Sequence, residues 1–155
     1  MKTKSLAIAL LLAAAIIPCR GAEPGAPVNL SFDLLKKTVV KETDGNLKIE
    51  YPKELAELEG KRVVLTGFVV PLDDPGKMTK MIVFQAAVGC FYCNPPAENE
   101  TVLVRRPAKS QPLQMDSDNV RVEGILHLQH PDSKDPDIKQ FCFTIDDAKV
   151  TPGKN

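Results

Sequence analysis

Along this 155-residue chain the spacing of apolar positions changes character twice. Ser5 to Ile17 is an unbroken apolar run behind Lys2 and Lys4. Between Ser31 and Gly60 apolar residues recur at helical spacing in two short stretches. The first is capped by Ser31 and runs through Leu34 and Leu35 to Lys37. The second has Pro52 at its start, Leu55 and Leu58 on one face, and Gly60 after its end. From Lys61 the rhythm becomes that of strands, and five are predicted: Arg62 to Pro71, Lys80 to Ala87, Thr101 to Arg105, Val120 to Leu128 and Gln140 to Ile145. Gly67 and Gly124 interrupt the two longest, where a strand bulges or coils. Asp73-Asp74-Pro75-Gly76 is a strong turn signal between the first two.

Five short strands in about ninety residues predict a mainly β fold, a five-stranded OB-like Greek-key barrel preceded by one or two short helices. Residues 51–155 form that domain in this reading, and residues 22–50 a leader with a short helix. The segment Pro107 to Asn119 has two prolines and no helical period, so a loop is expected where an OB fold often has a helix. Alternation assigns Val63, Leu65, Ile82, Phe84, Val102, Val104, Val122, Leu126, Phe141, Phe143 and Ile145 to the core. His127 and Cys142 then point outward, and pairing about the Pro131–Pro136 loop would set them nearly opposite each other.

The apolar run at the N-terminus changes what is counted. A basic start, the run itself, the break at Pro18 and the small residues of Cys19-Arg20-Gly21 form the pattern of a cleaved signal peptide over residues 1–21. The expectation is a periplasmic or secreted protein with no integral membrane segment after signal removal. A lipoprotein acylated at Cys19 is the rival, and Pro18 before that cysteine suits it poorly. Cleavage removes Lys2, Lys4 and Arg20 from 20 basic residues against 20 acidic, leaving a formal charge of −3. Nothing in that balance points to nucleic acid. The 43% hydrophobic and 26% charged composition excludes a disordered chain, and 13 prolines with 9 glycines oppose a helical bundle.

Export leaves three cysteines, Cys90, Cys93 and Cys142, and an odd number leaves one without a partner inside the chain unless a metal holds all three. Gly89-Cys90-Phe91-Tyr92-Cys93-Asn94-Pro95-Pro96 follows directly on the second strand. A pair of cysteines three apart can chelate an ion, close a disulfide or exchange with other thiols. Adding Cys142 and His127 gives a Cys3His set suited to zinc, with copper a lesser alternative; Met78, Met81 and Met115 could suggest copper, but without clustered histidines they read as gap-filling apolar residues. The leading expectation is therefore a non-enzymatic binding module holding zinc, an accessory to an envelope transport or metal-handling system with an envelope protein as partner. A thiol–disulfide oxidoreductase using the CxxC is the second reading. Pro95-Pro96 opposes the helix that would activate its first cysteine. A structural or interaction module whose cysteines form a disulfide, Cys90–Cys93 or Cys93–Cys142, is the third. His130 is a substitute ligand at best, and Glu54, Glu57 and Glu59 read as a solvated helix face. No serine–histidine–aspartate triad, phosphate loop or paired-carboxylate site is visible.

The run Tyr51-Pro52, Leu55, Leu58, Gly60-Lys61, Val63, Leu65 and Gly67-Phe68-Val69-Val70-Pro71-Leu72, followed by the cysteine and proline segment and the strand Thr101 to Val104, resembles an exported bacterial family known as domain of unknown function 3299. The resemblance covers about residues 50–105. It implies an envelope location and a β-rich domain, and it implies no chemistry. Two prolines follow the cysteines here, where the family pattern has a longer run.

Overall fold

The structure is a computed structural model and describes residues 26–43, 46–74, 78–86, 93, 96–113 and 119–153. The leader run, Cys19 and Cys90 lie outside the described residues. Eight strands are present among those described: β1 (Val28–Asn29), β2 (Val39–Thr43), β3 (Asn46–Glu50), β4 (Arg62–Pro71), β5 (Lys80–Phe84), β6 (Thr101–Arg105), β7 (Asn119–Leu128) and β8 (Phe143–Pro152). The helices are single turns: α1 (Phe32–Leu35), capped by the Ser31 hydroxyl, α2 (Lys53–Ala56) and α3 (Pro136–Gln140).

Strands β4 to β8 close a barrel in the order β4-β5-β6-β8-β7, and β7 returns to pair with β4. All neighbours run antiparallel except β6 and β8, which are parallel. This is the five-stranded Greek-key order of an OB barrel. Closure is made by a long register from Arg62↔Ile125 to Phe68↔Asn119. Past Phe68, β4 leaves β7 and takes up β5, so the one strand serves both neighbours. Gly67 lies at that changeover. A Cβ there would come within 2.5 Å of the Phe84 carbonyl oxygen, closer than any side chain can approach. Gly124 plays the same part between β7 and β8, where a Cβ would meet the Asp146 carbonyl at 2.5 Å. The register shifts beside it, and Asp147 takes a left-handed φ of 51° to absorb the extra residue.

Val63, Leu65, Met81, Val83, Val102, Val104, Val122, Leu126, Phe143 and Ile145 fill the barrel, and Leu35, Leu55 and Phe32 from the preceding helical turns join the same cluster. The expected core is corrected at three positions. Ile82 and Phe84 are buried, but Met81 and Val83 are the β5 residues in the core cluster, so the phase of that strand is reversed. Phe141 is half-buried and precedes the last strand, which starts at Phe143 and extends to Pro152. The Asp135 side chain caps α3 through the Asp137 amide with Pro136 in its first turn, so Gln140, expected to begin the last strand, ends a helical turn instead. Between residues 106 and 113 there is no helix, as the prolines imply.

Three strands, besides α3, went unread in the sequence. β1 adds to β4 in parallel through Val28↔Val63 and Asn29↔Val64. β2 and β3 form a separate hairpin, Val39↔Glu50 to Thr43↔Asn46, whose Val40 and Ile49 rest against the core.

Candidate binding face

Because β5, β6 and β8 alternate, the residues between the core positions share the outer face of the sheet. Cross-strand register lines them up in rows: Ile82↔Leu103↔Thr144↔His127, and beside it Lys80↔Arg105 with Asp146 two residues beyond Thr144. This outer face is not wet. Ile82, Leu103 and Thr144 are 4%, 1% and 1% exposed.

The β7–β8 connection, residues 129–142, reaches the Lys80–Arg105 end of this face as a strap. Arg105 is its centre. Its Nε and Nη2 each donate to an Asp146 carboxylate oxygen at 2.6 Å, and its Nη1 donates to Asp135 at 2.5 Å and Asp137 at 3.2 Å. Lys80 Nζ donates to Asp137 at 2.7 Å. A planar guanidinium with five donors is the one side chain able to bind a carboxylate side-on and still reach two more. The Asp146 bonds, against the opposing effect of burial, raise the Arg105 pKa further above its ordinary value. Arg105 in turn holds the Asp135 carboxyl below the ordinary carboxylate range, though burial opposes this.

The ends of the strap meet at one hydroxyl. Tyr51 Oη accepts from the Gln129 amide at 2.9 Å and donates to the Cys142 carbonyl at 3.0 Å, while Gln129 N also donates to Cys142 O at 3.1 Å. Desolvation raises the Tyr51 pKa well above its usual value, so the hydroxyl keeps its proton and both bonds. A connection whose ends are closed in this way is an Ω-type loop.

The predicted ligands other than Cys90 can now be placed. Cys142 sits at the bend before β8 and is 3% exposed within the apolar cluster, not on an open outer face. It is a free thiol, and burial, with the Glu98 carboxylate adding to it, pushes its pKa up to about 12. His127 is on the outer face, but its cross-strand partner is Thr144, two residues beyond Cys142. Its Nδ1 lies 3.0 Å from Glu59 Oε1, and its Nε2 3.9 Å from Asp146 Oδ2. His130 Nε2 is 3.9 Å from Glu59 Oε2. Cys93 is in a disulfide, and since Cys142 is free the bond is not Cys93–Cys142. Among the described residues no three histidine, cysteine or acidic side chains gather as a metal site.

Glu59 is the residue whose role the sequence reading missed. Its Oε2 accepts from the Leu128 amide at 2.6 Å, closing the end of β7 where β4 is no longer alongside. Only the fold brings a carboxylate 69 residues away to that amide, and the acidic pattern of α2 gave no sign of it. Asp73 does similar work in the β4–β5 turn, accepting from the Thr79 amide and hydroxyl and from the Lys80 amide. Burial works to raise its pKa, and these bonds together bring it below the ordinary value.

The comparisons agree with this architecture. None of the curated proteins matches the chain. A crystal structure of a DUF3299 family protein from Pseudomonas aeruginosa is similar in fold, with a TM-score of 0.58 at 20% identity, covering 84% of this chain and 99% of that one. The model of the family described as protein of unknown function DUF3299 matches residues 30–152, so the chain belongs to that family.

Proposed function

We propose that this protein is a non-enzymatic interaction module of the cell envelope, its β5–β6 connection stapled by a disulfide and its OB barrel serving as a rigid platform for an envelope partner. The observation that carries this reading is the division of the cysteines: Cys93 is disulfide-bonded while Cys142 is a free, buried thiol. After removal of a leader ending at Gly21, Cys90 is the remaining partner for Cys93. A disulfide of this kind suits an exported protein. The metal-holding alternative needs Cys142 as a thiolate, and a buried thiol with its pKa pushed up to about 12 is poorly suited to that state.

Mass spectrometry of the protein purified from its native compartment tests this. Without reductant, one cysteine, Cys142, should be alkylated, and only after denaturation. A native mass carrying zinc, with three alkylatable cysteines on denaturation, would return the protein to the metal-binding class. Turnover of a dithiol substrate by the CxxC pair would make it an oxidoreductase.

A further inference from the structure

We infer that the strap of residues 129–142 is a displaceable cover, and that the ligand it gives way to is an acidic, partly apolar segment of a partner protein docking on Arg105, Lys80 and the outer face of β5, β6 and β8. This rests on the interaction-module reading above and names the surface and the partner's chemistry.

Four observations lead here. First, α3 contributes no buried residue, so the strap is not held by packing of its helical turn. Second, side-chain ties from the strap to the strands run through two carboxylates, Asp135 and Asp137, onto two cations, Arg105 and Lys80. Arg105, Asp135 and Asp137 are partly buried, and ties of this kind rest on charge, so neutralising the two carboxylates removes them and salt weakens their more exposed Lys80 member. Third, the strap's two ends converge on Tyr51, so residues 130–141 can lift about that point without disturbing either flanking strand. Fourth, the same outer face carries buried residues beside Lys80 and Arg105 that do not belong to the barrel core. Ile82 and Leu103 are buried apolar residues outside the core cluster, and the Thr144 hydroxyl is buried with no hydrogen-bond partner among the described residues. An orphaned hydroxyl is an uncommon feature of a finished interior.

The strap itself shows what fits. Asp135-Pro136-Asp137-Ile138 sets two carboxylates on the two cations with an apolar residue following. A partner segment of like chemistry would satisfy Arg105 and Lys80 in the same way. Because the strap competes from within the chain, apparent affinity for such a segment is reduced by the fraction of time the strap is closed.

The test uses a labelled synthetic peptide with the sequence of residues 131–141, titrated against the full mature protein by fluorescence anisotropy. The double variant Asp135→Asn/Asp137→Asn should bind it at least about tenfold more tightly than the wild type, because the internal competitor is weakened. Adding Arg105→Gln should abolish the gain. Equal binding by wild type and double variant overturns the inference, as does a gain that survives loss of Arg105. If the double variant does not fold, the wild type decides. Saturating peptide should speed amide exchange at Lys139 and Phe141, which now donate to Asp135 and Asp137 carbonyls. Unchanged exchange there overturns the inference. Failure in either assay leaves the cysteine masses untouched, so the interaction-module reading stands or falls separately.

Discussion

On their inner face β5, β6 and β8 present Met81, Val83, Val102, Val104 and Ile145; on their outer face the same strands carry Lys80, Arg105 and Asp146 beside Ile82, Leu103 and Thr144. The inner face is held by apolar contact that no change of salt or pH removes. The outer face is closed by a charge cluster that charge-altering mutations, acid or high salt can open. One strand set therefore has a permanent side and a conditional one, and its stability should divide accordingly.

The largest expected effect is on the permanent side. Phe143→Ala removes a fully buried ring and should cost about 3–5 kcal/mol in urea unfolding. Arg105→Gln should cost less, about 2–3 kcal/mol, by leaving three carboxylates facing one another without their shared cation. A larger loss for Arg105 than for Phe143 would reverse the comparison. Tyr51→Phe keeps the ring beside Phe143, 6.1 Å between centroids, but removes the hydroxyl that both ends of the strap share, leaving only their direct Gln129–Cys142 bond. It should cost about 1–2 kcal/mol, with faster amide exchange at Gln129.

Acid sharpens the contrast further. Since Arg105 depresses the Asp135 pKa in the folded protein, the stabilisation is complete above the unfolded value of about 3.9 and is lost as pH falls through the folded value. A pH titration followed by NMR should leave the Lys139 and Phe141 amides unmoved from pH 7 to about 5 and shift them below about 4. In Arg105→Gln the Asp135 carboxyl should titrate at higher pH than in the wild type. The smallest effect belongs to Cys142→Ala, about 1 kcal/mol from a single buried sulfur.

The same two faces explain what could be read from sequence. Where a strand is wet on one side, alternation is legible, and β4 and β7 were placed with their core residues Val63, Leu65, Val122 and Leu126. Lys-Met-Ile-Val-Phe in β5 is apolar at every position after the first because both faces are covered, so Ile82 and Phe84 were indistinguishable from Met81 and Val83. The strap was obscured differently. Asp135-Pro136 is a helix-start signal, but it lies against Gln140 to Ile145, whose alternation continues into the true strand, and the boundary moved with it. The Arg105 cluster joins four segments far apart in the chain, and no local spacing announces it. The cysteine motif was visible, but its state depends on whether Cys142 is covered. That follows from tertiary packing alone.

The strand order also has a temporal consequence. β8 is last in the chain, yet it sits between β6 and β7 and pairs with both. A growing chain therefore holds four strands of an incomplete cylinder, with one edge of β6 and one of β7 unsatisfied, until residues 143–152 arrive. The strap immediately precedes those residues, so its carboxylates can meet Arg105 and Lys80 before the barrel closes. Non-local closure of this kind is slow, and exposed strand edges invite aggregation in the interval.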